Sequence, residues 1–148
     1  MFRSRFYHTI DEKGRVSLPA KYREIISSSY NDQLIITNYD SCLLAYPYDE
    51  WVTLEEKFKQ HSIMQPEVEI FAQFFISGAS ECTVDKLGRI LIPPTLREYA
   101  GLERNVVFVG MISRIQIWDK QRWEQKFLVA QEKFSEVKGK ELLAKLGF

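Results

Sequence analysis

Short apolar or alternating runs, each closed by Gly, Pro, Asn or Asp, recur along this chain, and apolar stripes at helical spacing lie between and after them. Runs at 5–10 and 79–84, with Phe, Tyr, Thr, Ile and Val, predict short strands. Asp11-Glu12-Lys13-Gly14 and Asp85-Lys86-Leu87-Gly88 follow them as type I turns in which Gly supplies a positive φ, which predicts a hairpin connection. The runs 15–18 and 89–92 then predict strands stopped by Pro19 and Pro93, because proline has no amide to give a ladder. Short helices should follow, with Tyr22, Ile25 and Ile26 on one face of the first and Leu96, Tyr99 and Ala100 on one face of the second, the latter capped by Gly101. Hairpins are expected from 33–37 with 42–46 and from 106–109 with 115–118. Helices close each unit, at 49–61 with Trp51, Leu54 and Phe58, and from Lys120 onward with Trp123, Phe127, Ala130 and Phe134. Between the units Pro66 can open a helix bearing Val68, Phe71 and Phe75 on one side.

The recurrence is a true internal repeat. Residues 10–24 align with 84–98 at a constant offset of 74, and Asp, Gly, Arg, Pro, Arg and Glu coincide. The offset becomes 72 from Leu34/Val106 to Trp51/Trp123, so the second copy has a loop two residues shorter. This divides the chain into a first repeat (1–52), a connecting helical segment (53–76), a second repeat (77–123) and a C-terminal helical segment (124–148). Four short strands make a poor core alone. The expectation is therefore a mainly β, α+β fold in which both copies pack as one pseudo-twofold barrel with helices outside. The apolar segment Leu142-Leu143-Ala144-Lys145-Leu146 would serve either contacts between subunits or packing on its own barrel.

Composition narrows the function classes. The 148 residues hold 20 basic and 20 acidic side chains, with 10 Phe, 7 Tyr and 3 Trp, as in an ordinary globular domain. The zero sum hides a gradient, since residues 1–24 hold six basic and three acidic groups and residues 25–80 two and eight. A basic N-terminal face is thus compatible with neutrality. Cys42 and Cys82, and His8 and His61, lack the close spacing of a metal site, so the cysteines read as small buried hydrophobes and no metal or cofactor is expected. Without a signal-peptide run or an 18-residue apolar stretch, the expectation is a cytoplasmic protein with no membrane partner. Glu55-Glu56 and Glu67/Glu69 read as solvated helix faces, no nucleophile or phosphate-loop motif occurs, and neither an enzyme nor a small-molecule substrate is expected.

The remaining chemistry is cationic. Arg3, Arg5, Lys13 and Arg15 supply groups able to reach phosphates and base edges, and a hairpin could bring Arg5 and Arg15 out beside Lys13 into a major groove about 12 Å wide. The other reading is architectural, with Asp11 holding the turn and Arg15 paired to it. Asp11, Gly14, Asp85 and Gly88 are assigned to the turns themselves. Arg23-Glu24 and Arg97-Glu98 read as exposed ion pairs or subunit contacts rather than DNA contacts.

Met1-Phe2-Arg3, the run from His8 to Arg15, the segment from Phe74 to Glu81, and Gly88 to Pro93 with Leu96 to Leu102 together resemble the bacterial MraZ proteins from end to end. That resemblance implies two AbrB-like repeats in a swapped-hairpin barrel. It also implies a DNA-binding transcriptional regulator of the division and cell wall genes, including its own operon, associated with the nucleoid. Its partners would be double-stranded promoter DNA with short direct repeats and further copies of itself in a ring-like homo-oligomer. The family's Asp-x-x-x-Arg contacts would fall on Asp11 to Arg15 and Asp85 to Arg89, adding Lys86 and Arg89 to the candidate DNA-binding residues. The chain departs from the family at Ala72-Gln73, where relatives carry arginine, and at Leu87, which leaves the second turn less suited to phosphates than Lys13 makes the first. An AbrB-like antitoxin or protein-interaction module is the alternative, disfavoured by the second motif and the helical C-terminal end.

Overall fold

The computed structural model describes residues 1–147, so Phe148 of the C-terminal segment lies outside the described residues. The first half runs β1 (Arg5–Thr9), β2 (Arg15–Ser17), α1 (Ala20–Tyr30), β3 (Gln33–Asn38), β4 (Leu43–Pro47) and α2 (Tyr48–Phe58). After α3 (Pro66–Phe71) and a π-helical turn (Ala72–Ile76) come β5 (Ser80–Thr83), β6 (Arg89–Leu91), α4 (Pro94–Ala100), β7 (Asn105–Gly110), β8 (Ile115–Asp119), α5 (Lys120–Ser135) and α6 (Val137–Lys145). Pro19 and Pro93 end a strand and open a helix, and α4 ends in left-handed Gly101 at φ 66°.

The strands form an open six-stranded sheet in the order β1-β7-β8-β4-β3-β5 and a separate ribbon, β2-β6. The expected closed barrel is therefore not formed, because β1 and β5 stand at opposite edges of one sheet rather than pairing to seal it. The expected first hairpin is also revised. Only an Ile10–Val16 bridge joins the strands flanking the first turn, while β1 pairs with β7 and β2 with β6, both from the second half. Reciprocally, β5 pairs with β3.

These pairings obey a pseudo-twofold axis. Exchanging the halves swaps β1 with β5, β7 with β3 and β8 with β4, which leaves the sheet order unchanged. The axis passes through the Leu44–Gln116 pair of the sheet and the Val16–Ile90 pair of the ribbon. Each pair joins a residue to its own repeat counterpart, at offsets of 72 and 74.

One sheet face, through Leu34, Ile36, Leu43, Val106, Phe108 and Ile117, packs on Val16, Leu18, Ile90 and Ile92 of the ribbon region and on Tyr22 and Leu96 of the short helices. The opposite face is covered twice. Trp51 of α2 and Phe75 lie on Ile35, Leu44 and Tyr46, while Trp123 of α5 lies on Val107, Val109 and Trp118. Burial on both faces explains why 34–36 and 106–109 are continuously apolar rather than alternating. The helix predicted from Pro66 changes pitch at Ala72, and the π turn stacks Phe75 between Trp51 and Phe71 with ring centroids 5.6 and 4.8 Å apart. Thr37 Oγ1 and Asn38 Nδ2 donate to the Phe75 and Phe74 carbonyls of this turn, at 2.6 and 3.3 Å.

Candidate nucleic-acid interface

The two turns are built alike by an aspartate. Asp11 Oδ1 accepts from the amides of Lys13 (3.0 Å) and Arg15 (2.9 Å), and Oδ2 accepts from Arg15 Nε at 2.8 Å. Asp85 repeats this with Leu87 (2.9 Å), Arg89 (2.8 Å) and Arg89 Nε (3.0 Å). The Arg15 amide, its guanidinium and the Lys13 amide together hold the Asp11 carboxyl below the ordinary carboxylate range, and Asp85 is lowered by the same kind of donors, led by the Arg89 amide. Asp11 and Asp85 thus fix their arginines through Nε, and no other hydrogen bond among the described residues engages either guanidinium.

The ribbon decides where these arginines point. Side chains alternate across a strand, and Val16 and Ile90 are buried beneath it. Arg15, Ser17, Arg89 and Leu91 therefore share the outward face, with Arg15 opposite Leu91 and Ser17 opposite Arg89. Two residues of rise and one interstrand step put the two arginine Cα atoms roughly 8 Å apart, within the width of a major groove. Leu87 and Leu91 are 69% and 56% exposed beside them, where the first half has Lys13 and Ser17. Counted fully, the first turn (Asp11, Glu12, Lys13, Arg15) has zero formal charge and the second (Asp85, Lys86, Arg89) has plus one. Glu12 thus offsets the advantage that Lys13 gives the first turn over Leu87.

Of the predicted residues, the structure groups Lys13, Arg15, Lys86 and Arg89 on the two turns and their ribbon. Arg3 and Arg5 are elsewhere. β1 leads away from the first turn, so Arg5, six residues before Asp11, lies on the order of 20 Å from it along the chain. Its guanidinium sits over the Phe127 ring of α5, 4.6 Å from the centroid. Arg3 is held by its backbone, whose carbonyl accepts from Tyr22 Oη at 2.8 Å.

Arg23 and Arg97 are not the expected exposed ion pairs. Both are half-buried, and the salt bridges of the described residues are Arg15–Asp11, Lys59–Glu56 and Arg89–Asp85. Arg23 Nη2 donates to the Lys86 carbonyl in the turn of the other half at 3.1 Å, while Arg97 Nε donates to the Ile92 carbonyl of its own half at 3.0 Å and lies against Gly14 of the first turn. The signal in the sequence is their shared place four residues after Pro19 and Pro93.

Cys42 and Cys82 are buried as expected, which pushes their thiols up to about 12 and about 11. Among the described residues no three His, Cys, Asp or Glu side chains converge as metal ligands, and no helix is long and apolar enough to cross a membrane.

A family model described as "MraZ protein, putative antitoxin-like" matches this chain twice, over residues 1–74 and 75–144. The chain belongs to the MraZ family. The two matches follow the internal repeat, one turn with its arginine in each. Among MraZ relatives, the "Transcriptional regulator MraZ" of Syntrophobacter fumaroxidans is 41% identical over 92% of this chain and 91% of its own. Those of Desulfitobacterium hafniense and Caldanaerobacter subterraneus are 46% and 42% identical, over 83% and 93% of this chain and 84% and 94% of theirs. A solution structure, PHS018 from Pyrococcus horikoshii, overlaps 79% of this chain and 88% of its own at 15% identity with a TM-score of 0.34.

Proposed function

We propose that this chain is a transcriptional regulator that binds double-stranded DNA through the outward face of β2-β6 and the two turns at its ends. The observation that carries this reading is the pair Arg15 and Arg89, related by the pseudo-twofold axis, each on the outward face of the ribbon and fixed at Nε by its own aspartate, with no further hydrogen bond among the described residues on its guanidinium. Such a fork suits guanine edges or phosphates. Lys13 and Lys86 flank it as phosphate contacts. The relatives' name, transcriptional regulator, supports the regulatory role, and membership of such a family supports a non-enzymatic protein.

The family resemblance extends the reading to an intracellular, nucleoid-associated regulator of the division and cell wall genes, acting as a ring-like homo-oligomer on direct repeats in its own promoter. Leu142 and Leu146 of the C-terminal segment are 57% and 61% exposed, and α6 has no buried residue. This favours contacts between subunits over packing on the chain's own core. Head-to-tail packing would repeat one edge by rotation and so match direct repeats rather than palindromes.

A mobility shift with the DNA upstream of the gene, at two salt concentrations, tests the reading. Specific retention with log K falling about 0.9 per neutralised phosphate against log salt supports it. No retention, with stoichiometric capture of a foreign protein instead, overturns it in favour of the antitoxin reading.

A further inference from the structure

We infer that the two recognition turns are positioned crosswise, the first by Arg97 of the second half and the second by Arg23 of the first half. The inference rests on the DNA-binding reading for its functional consequence and on geometry for its physical content.

Gly14 and Gly88 have φ of +91° and +78°, where a side chain is strained, but the space beside them is already taken as well. A Cβ on Gly14 would lie 2.5 Å from Arg97 Nε and 2.7 Å from its Cζ. A Cβ on Gly88 would lie 2.6 Å from Arg23 Nη1 and 2.9 Å from its Cζ. Each guanidinium therefore lies against the bare Cα of the glycine that ends the opposite half's turn. A planar guanidinium can lie flat against the glycine while its fork donates to a neighbouring carbonyl, a combination that lysine's compact ammonium point charge does not reproduce.

Hydrogen bonds complete the link. Arg23 donates directly to the second turn at the Lys86 carbonyl, and the Gly88 carbonyl accepts from the Leu18 amide at 2.9 Å. Arg97 donates to the Ile92 carbonyl, while the Ile92 amide donates to the Gly14 carbonyl at 2.8 Å. The helix that opens at Pro93 thus supports the turn carrying Arg15, and the helix that opens at Pro19 supports the turn carrying Arg89. Each half shapes its own turn through its aspartate, and the other half supports that turn from beside its glycine, which gives a physical reason for two copies in one chain. Arg23 and Arg97 are positioning residues, acting through the Asp-x-x-x-Arg turns.

Amide hydrogen exchange and DNA binding on the full chain test this together. In Arg97→Ala, the amides of Lys13, Gly14 and Arg15 should exchange about tenfold faster while those of Leu87, Gly88 and Arg89 are unchanged, and Arg23→Ala should do the reverse. Affinity for the upstream duplex should fall about tenfold in Arg97→Ala. It should fall no further when Arg97→Ala is added to Arg15→Ala, yet fall by the full factor when added to Arg89→Ala. Arg97→Lys keeps the charge and most of the stem, so it serves if the alanine variant does not fold, and it should match the alanine variant in exchange at the first turn. Unchanged exchange there, coupling of Arg97 to Arg89 instead of Arg15, or a full loss persisting in the Arg15→Ala background overturns the inference. If Arg15→Ala and Arg89→Ala both bind DNA like the unmodified protein, the DNA-binding reading fails, and the exchange pattern alone still decides the crosswise support.

Discussion

Asp11 grips Arg15 twice, accepting its backbone amide on one carboxylate oxygen at 2.9 Å and its side-chain Nε on the other at 2.8 Å. The first contact shapes the turn and the second aims the guanidinium. Replacing the arginine removes the second contact and leaves the first. Arg15→Ala should therefore cost the fold no more than about 1 kcal/mol, while DNA affinity drops by about 1–3 kcal/mol and discrimination of the site relaxes. A thermal melt and a mobility shift on one sample check this. Arg89→Ala should have an effect of similar size, because its turn carries the greater formal charge.

Acid should weaken these turns. The folded-state pKa of Asp11 and Asp85 lies below the ordinary 3.8, so their stabilising contribution is present above that value and is lost as pH falls through the lower folded value. Comparing melting temperature from pH 6 down to 2 for the unmodified chain and an Asp11→Asn, Asp85→Asn variant should show a smaller acid decline in the variant. Parallel curves would remove the carboxylates from the account.

Trp51 and Trp123, 72 positions apart, each cover half of the sheet's outer face, at 4% and 9% exposure. Alanine at either should cost about 3–5 kcal/mol in chemical denaturation, far more than any change on the ribbon's outward face. A cost below about 1 kcal/mol would mean that the covering helices do not hold the sheet.

Much of this was readable beforehand because it is local. Asp-x-x-Gly marks the turns, Pro19 and Pro93 mark strand-to-helix changes, and the shift in offset from 74 to 72 maps the second half onto the first. Pairing was not local. Periodicity says that Val16 faces inward but not that Ile90 lies opposite, so a hairpin of neighbours was expected where strands are exchanged between halves. The same gap misplaced Arg5, which shares a strand run with the turn but lies at its far end over Phe127. Arg23 and Arg97 look like members of ion pairs in sequence, because an Arg-Glu pair on a short helix carries no sign of the glycine beneath each guanidinium.

Operator phasing tests the oligomeric part of the reading. Subunits repeating one edge along a duplex should need a spacing near one helical turn, about 10 to 10.5 base pairs. Inserting about 5 base pairs between repeats should collapse affinity, and a full turn should partly restore it. A palindromic site or indifference to phasing would contradict head-to-tail repetition.

In the proposed function, the paired arginines of the ribbon read DNA. Its most direct test is titration of the upstream duplex and a scrambled duplex, across a salt series, with the unmodified chain and an Arg15→Ala, Arg89→Ala variant. The expected result is specific binding by the unmodified chain, loss of that specificity in the variant, and a log–log salt slope shallower by about 0.9 for each arginine that contacted a phosphate. A folded variant that keeps both its specificity and the same slope would contradict it.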